Sequence, residues 1–208
     1  MSVRQSTILL IILAAALVFL AGCTQQGTTT TQYATGTSGA VTTAPTAAPS
    51  SQTASTGLWK QVRLETNMGN ITIALDPEMP ITTSHFTSLV GEGFYNNVIF
   101  HRVMDNFMIQ GGDPTGTGRG GSGSPIKDEF TSHNHNDRGT VAMANAGPDT
   151  GDSQFFINLV NNNYLDNKHP VFGKVIEGMD VVDAIGKVKT GQGNRPLQNV
   201  TIIRAEML

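Results

Sequence analysis

The sequence is short of most of the groups on which catalytic chemistry is usually built. It has one cysteine, Cys23, in 208 residues, which excludes a disulfide within the chain. The G-x-S-x-G elbow of a serine hydrolase is absent, and Gly151-Asp152-Ser153 with a distant His169 does not replace it. Gly116-Thr-Gly-Arg-Gly-Gly121 satisfies G-x-G-x-x-G, but Ser-Gly-Ser-Pro125 follows where a nucleotide-binding helix would start, so no helix N-terminus awaits a pyrophosphate. His133 and His135, near Asp137, have too few companions for a metal site. No repeat of 20 to 50 residues is visible, which sets aside solenoids and propellers. No cofactor and no metal are expected.

A run long enough to span a membrane is lacking as well. Ile8 to Leu20 is 13 apolar residues, below the roughly 18 of a spanning helix and suited to the central region of a signal peptide. With Arg4 before it and Leu20-Ala-Gly-Cys23 after it, residues 1–22 read as an export signal. The ending resembles the lipobox of prokaryotic lipoproteins, which implies lipidation of Cys23 and attachment to a membrane outside the cytoplasm. An ordinary signal peptide or an uncleaved anchor with an incidental cysteine is the alternative. From Thr24 to Gly57 there is no charge and little that could form a core. Such a Thr/Ser/Ala-rich segment cannot offset its ordering entropy by burial, so residues 23–57 read as a lipidated cysteine followed by a disordered stalk.

What remains, residues 58–208, has the size of one domain. It carries all 16 acidic residues and 12 of the 13 basic ones, a net charge of −4, so no nucleic-acid partner is expected. Glycine and polar breaks recur between short runs rich in Val, Ile, Phe and Thr, the pattern of a β-barrel or sandwich. Gln61–Thr66 and Asn70–Leu75 alternate apolar and polar residues around Asn67-Met68-Gly69, which predicts a hairpin. Helices are predicted over Pro80–Val90, stopped by Gly91, and over Gly178–Val188, with Gly186 inside the pattern.

The stretch Phe100-His-Arg-Val-Met-Asp-Asn-Phe-Met-Ile-Gln-Gly-Gly-Asp113 holds no nucleophile, metal set or phosphate loop. With Met143-Ala-Asn-Ala-Gly-Pro148, Ser153-Gln-Phe-Phe-Ile157, Leu165-Asp-Asn-Lys-His169 and Val171-Phe-Gly-Lys-Val175, it resembles the cyclophilin family of peptidyl-prolyl cis-trans isomerases, from about Val62 to Ile203. The resemblance implies a mainly β fold, a closed eight-stranded antiparallel barrel capped by two α-helices. It also implies a cofactor-independent isomerase acting on proline-containing polypeptides, with a monomeric domain. By residue match, Arg102 is the catalytic arginine. Phe107, Met108, Phe156 and Leu165 form the proline slot, with His169 at its edge. Gln110, Asn145 and the backbone near Ala144 hydrogen-bond the substrate chain, and Gln154 supports them. Tyr164 stands where many members have tryptophan, a position that borders the site and bears on cyclosporin binding. Gly151-Asp152 replaces the Asn-Gly often seen before Ser-Gln-Phe-Phe. Strand alternation puts Phe155 on the core side, opposite Phe156.

Such a set needs no nucleophile, because rotation about an X-Pro bond breaks no covalent bond; its barrier, about 18–20 kcal/mol, is the lost amide resonance. The N-terminal reading and the resemblance together predict an isomerase for exported proteins. The alternatives are a binding module or holdase that grips proline without turnover, and a surface interaction protein that uses the barrel as a scaffold.

Overall fold

A computed structural model describes residues 58–208. The expected signal segment, Cys23 and the stalk lie outside the described residues. The strands are β1 (Gln61–Thr66), β2 (Gly69–Leu75), β3 (Val98–Ile99), β4 (Arg102–Met104), β5 (Met108–Gly111), β6 (Thr140–Met143), β7 (Phe155–Asn158), β8 (Val171–Glu177) and β9 (Thr201–Met207). Two helices accompany them, α1 (Pro80–Gly91) and α2 (Met179–Gly186). All ladder pairs are antiparallel. The sheet runs β3-β9-β1-β2-β8-β6-β7-β5-β4.

The mainly β architecture with two helices agrees with the expectation; the closed eight-stranded ladder does not. The sheet has nine strands and two ends, β3 and β4. These ends are consecutive in the chain, separated only by Phe100 and His101. Phe100 N–H still bonds Val200 O at 2.9 Å, but beyond it the chain changes partner, from β9 to β5. The curled sheet is therefore open by its hydrogen bonds and bridged at that point by the backbone itself.

The β1–β2 hairpin turns on Asn67 and Met68, with Thr66 opposite Gly69. Its inward residues Val62, Leu64, Ile71 and Ile73 are fully buried. Phe86 on α1 packs into the same core, its ring centroid 5.0 Å from Tyr95, 5.1 Å from Phe172 and 5.5 Å from Phe155. Helix α2 buries Val182 and Ile185 and ends before the predicted Val188. Lys187 and Val188 N–H bond back to Ala184 and Ile185, a tightened last turn. Gly186 has a packing reason: a Cβ there would lie 2.7 Å from Leu159 Cδ1.

Helix α1 opens at Pro80 with no cap from Met79. Its free N–H groups are satisfied from far along the chain. Glu129 accepts from Ile81 N at 3.0 Å, from Thr82 N at 2.7 Å and from the Thr82 hydroxyl at 2.8 Å. This ties the segment before β6 to the helix, with a carboxylate at the positive end of the dipole.

The glycine-rich stretch after β5 is organised by one buried anion. The Asp113 carboxylate accepts N–H from Thr115 (2.7 Å), Thr117 (2.9 Å), Gly118 (2.6 Å) and Arg119 (3.1 Å). Its amides turn inward, which is the physical reason G-x-G-x-x-G cannot serve a phosphate here. Gly120 is required because a Cβ would sit 2.2 Å from Asp113 Oδ1. Burial alone would raise the Asp113 pKa, but hydrogen bonds from the Thr115 hydroxyl and N–H and from Gly120 and Gly118 overrule it and hold the carboxyl far below its usual range. His101, beside this loop, is pushed the other way for a base: burial lowers its pKa, Asp113 opposes, and Arg195 and Arg102 lower it further. Neither of its ring nitrogens has a partner among the described residues.

The Glu129 cap and the shifted groups His101 and Asp113 each carry a prediction. Glu129→Ala removes the α1 cap and should cost about 1–2 kcal/mol, lowering the thermal midpoint by about 3–6 °C; an unchanged midpoint would show the cap to be idle. In acid, both shifts act against the fold, in separate windows. His101 has a folded pKa below its unfolded one, so stability is lost as pH falls from about 6.5. Asp113 adds its loss only below about pH 4, as the unfolded chain begins to take up the proton. Exposed His135, raised by its hydrogen bond to Asp166, works weakly the other way. Thermal midpoints from pH 8 to 3 should fall in two stages, and His101→Phe should remove the first; a first stage of parent size in that variant assigns it to another group.

Candidate active site

The site is a row across the outer face of the sheet. Arg102 pairs with Gln110, Gln110 with Phe156, Phe156 with Ala142, and Ala142 with Val171, so one row runs across β4, β5, β7, β6 and β8. Alternation sends the next residues to the other side: Val103, Ile109, Ile157 and Val141 are core, as are Phe155 and Met143. On the outer side Met108, Ala142 and Phe156 form a separate buried cluster, flanked by Met104, Phe107, Ala144, Leu165 and Val171. Phe155 and Phe156 thus divide between the two faces as expected.

This cluster lines a cavity of about 290 Å³ with Arg102, Phe107, Met108, Gln110, Ala144, Asn145, Phe156, Leu165 and His169 around it. That size suits one small ring rather than a large ligand. Two of the expected residues lie outside its wall. Gln154 lines the adjoining groove. Tyr164, 63% exposed, stacks on Phe107 with centroids 6.2 Å apart and planes at 21°, backing the slot. His169 presents its ring edge-on to Phe156, centroids 5.5 Å apart at 80°. Its Nδ1 donates to Met143 O at 3.1 Å, which leaves Nε2 as the acceptor of the neutral ring.

Arg102 is held from three sides. Nη1 donates to Gln110 Oε1 at 3.3 Å, Nη2 lies 3.1 Å from Met104 Sδ, and the guanidinium carbon stands 5.9 Å from the Phe107 ring centroid. Gln110 Nε2 donates to Gln154 Oε1 at 2.9 Å, and Gln154 Nε2 donates to Gly120 O at 2.7 Å. A chain of hydrogen bonds therefore leads from the guanidinium to the loop built on Asp113. Among the described residues no carboxylate pairs with Arg102.

Asn145 is engaged through its side chain. Its side chain stitches two loops, with Nδ2 donating to Lys168 O at 2.8 Å and Oδ1 accepting from Gly147 N at 3.3 Å. The main-chain N–H and C=O of Asn145 have no partner among the described residues. Met104 was missed by sequence reasoning, although it lies two residues from Arg102 in the same strand and so on the same face. The Gly120 carbonyl left no sequence signal. His133 and His135 do not converge: the first bonds Asp76 at 3.2 Å, the second Asp166 at 2.9 Å. Among the described residues no three His, Cys, Asp or Glu side chains gather as a metal site.

Comparison with known proteins agrees with this geometry. The family model for cyclophilin type peptidyl-prolyl cis-trans isomerase/CLD matches residues 61–207. Peptidyl-prolyl cis-trans isomerase-like 1 of Gibberella zeae is 47% identical over 150 residues, covering 70% of this chain and 93% of that protein. Its namesake in Emericella nidulans is 47% identical over 152 residues, covering 71% and 94%. A crystal structure of a Cryptosporidium parvum cyclophilin-type isomerase superposes with a TM-score of 0.70 at 33% identity, covering 72% of this chain and 98% of that one. A second structure of that enzyme was determined in the presence of the dipeptide Ala-Pro. With the family model spanning the whole sheet and both helices, the chain belongs to the cyclophilin-type peptidyl-prolyl cis-trans isomerases.

Proposed function

We propose that this isomerase works outside the cytoplasmic membrane, anchored through Cys23, on X-Pro bonds of exported proteins as they fold. Uncatalysed isomerisation takes about tens to hundreds of seconds, slow enough to limit folding. In this reading the proline ring enters the slot between Phe107, Met108, Phe156 and Leu165, and its flanking chain pairs with the free main-chain groups of Asn145. One side of the bond is held while the other turns.

The chemistry assigned to Arg102 follows from what changes in the twisted state. The amide loses resonance, its nitrogen becomes pyramidal and gains a lone pair, and the carbonyl oxygen loses negative charge. A guanidinium keeps its charge at any ordinary pH, so a donor fixed at that nitrogen stabilises the twisted state more than the planar one and lowers the barrier. The single observation that carries this reading is the anchored guanidinium at the slot, oriented by Gln110 and Met104 and paired with no acid among the described residues. Gln110 and Gln154 act as positioning residues, since their amides already engage Arg102 and the Gly120 carbonyl.

Arg102→Ala should weaken binding of an X-Pro peptide modestly while turnover falls by about two to three orders of magnitude, the usual scale for one preorganised donor. Phe156→Ala should lower affinity and turnover together, because it opens the wall that grips the ring in both states. Peptide Kd, isomerisation rate by NMR exchange and thermal midpoint decide the matter for both variants. Full turnover in Arg102→Ala removes the role given to that residue; a parent that binds the peptide but isomerises it only at the uncatalysed rate is a binding module instead. For the anchor, Cys23→Ser should move the protein from the membrane fraction to a soluble extracytoplasmic one, or leave it unprocessed. Normal cleavage with unchanged membrane retention would defeat the lipid attachment.

A further inference from the structure

Six arginines lie among the described residues, and they divide by place. Arg63, Arg138 and Arg204 each pair with a carboxylate. Arg102, Arg119 and Arg195 pair with none among the described residues. These three line adjoining cavities that share Gln110 as a wall: Arg102 the proline slot, Arg119 the groove beside Gln154, and Arg195, with Arg102 again, a third cavity of about 370 Å³. In a domain of net charge −4 the three arginines without a carboxylate partner are thus gathered around the slot. Lys60, Lys127, Lys168, Lys174 and Lys189 also pair with no carboxylate among the described residues, but none of them lines these three cavities.

The third cavity is bounded by His101, Arg102, Gln110, Thr117, Gln192 and Arg195. Arg195 is held in place by Nη1, which donates to Gly116 O at 2.6 Å, while its Nη2 and Nε are unengaged among the described residues. The nearby acid, Asp113, is spent on the amides of its own loop. His101 beneath is kept neutral by burial, so the positive potential comes from the two guanidinium groups. Arg102 and Gln110 line both this cavity and the slot, which makes the two one continuous surface. An extended chain advances about 3.3 Å per residue, so a residue one or two places from a seated proline reaches it.

We infer that this cavity is a carboxylate-accepting subsite and that Arg195 determines its specificity: the isomerase prefers X-Pro segments with aspartate or glutamate within two residues of the proline. The inference rests on the isomerase reading of the slot. It adds a selection that the slot itself, whose apolar side chains grip the ring beside Arg102, Gln110, Asn145 and His169, does not impose on neighbouring residues.

The test uses the whole chain and a set of Ala-Pro peptides with Glu or Gln at each of the two positions on either side of the dipeptide. At low salt, kcat/KM should favour Glu over Gln by about three- to fivefold at one of these positions, the scale of a partly exposed ion pair, and the ratio should shrink towards one in about 0.5 M salt. Arg195→Gln should bring the ratio close to one, and Arg195→Lys should restore part of it. Each ratio is taken within one variant, so a general loss of activity from the disturbed Gly116 contact cancels. Equal rates for Glu and Gln peptides at every position in the parent, or a full preference kept by Arg195→Gln, overturn the assignment. Turnover of the Gln peptides reads the isomerase by itself; where none is found, the same Glu-to-Gln comparison made on peptide Kd still decides the subsite.

Discussion

Everything at the active face depends on the two-residue alternation of five neighbouring strands being held in register. A slip by one residue in β5 would carry Gln110 and Met108 into the core and bring Ile109 out to the slot. The inner set, Val103, Ile109, Ile157 and Val141, resists such a slip because each side chain is buried to within about a percent. The hydrophobic core and the outer cavity are thus two faces of one pattern. Burial on one side fixes the positions of polar groups on the other, without any polar group having to stabilise itself.

On that base the guanidinium is oriented by weak contacts in series. A thioether, two amides and a backbone carbonyl link Arg102 to a loop that is rigid because a buried carboxylate gathers its amides. Each contact is modest alone. In sequence they fix where a donor stands relative to an apolar slot, and position is the quantity that matters when no bond is made or broken.

Local features of the fold were legible in the residues, and distant ones were not. The hairpin around Asn67 and both helices followed from periodicity and glycine stops, because those signals act within a few residues. Eleven site residues are named by the motif; nine of them line the cavity, while Gln154 and Tyr164 lie outside its wall. The strand break at Phe100 and His101 was not visible, since it depends on the chain exchanging β9 for β5 as its partner. The Glu129 cap spans 48 positions to Ile81 and leaves no local mark. At Asn145 the motif names the residue but not which of its groups is available: the side-chain amide is engaged by Lys168 O and Gly147 N, partners that no local pattern reveals.

Strand β9 lies between β3 and β1, so residues near the end of the chain join two segments that precede them by about a hundred positions and more. Until Thr201–Met207 arrives, both β1 and β3 present an unpaired edge, and β3, tied to β4 by the backbone at Phe100 and His101, has no strand joining it to β1. Pairings this remote in sequence form late, after their loop-closure entropy has been met. A chain emerging from its N-terminus, whether from a ribosome or across a membrane, therefore cannot complete this domain piecemeal. A prolyl isomerase of this topology must wait for its own last strand before its sheet is complete.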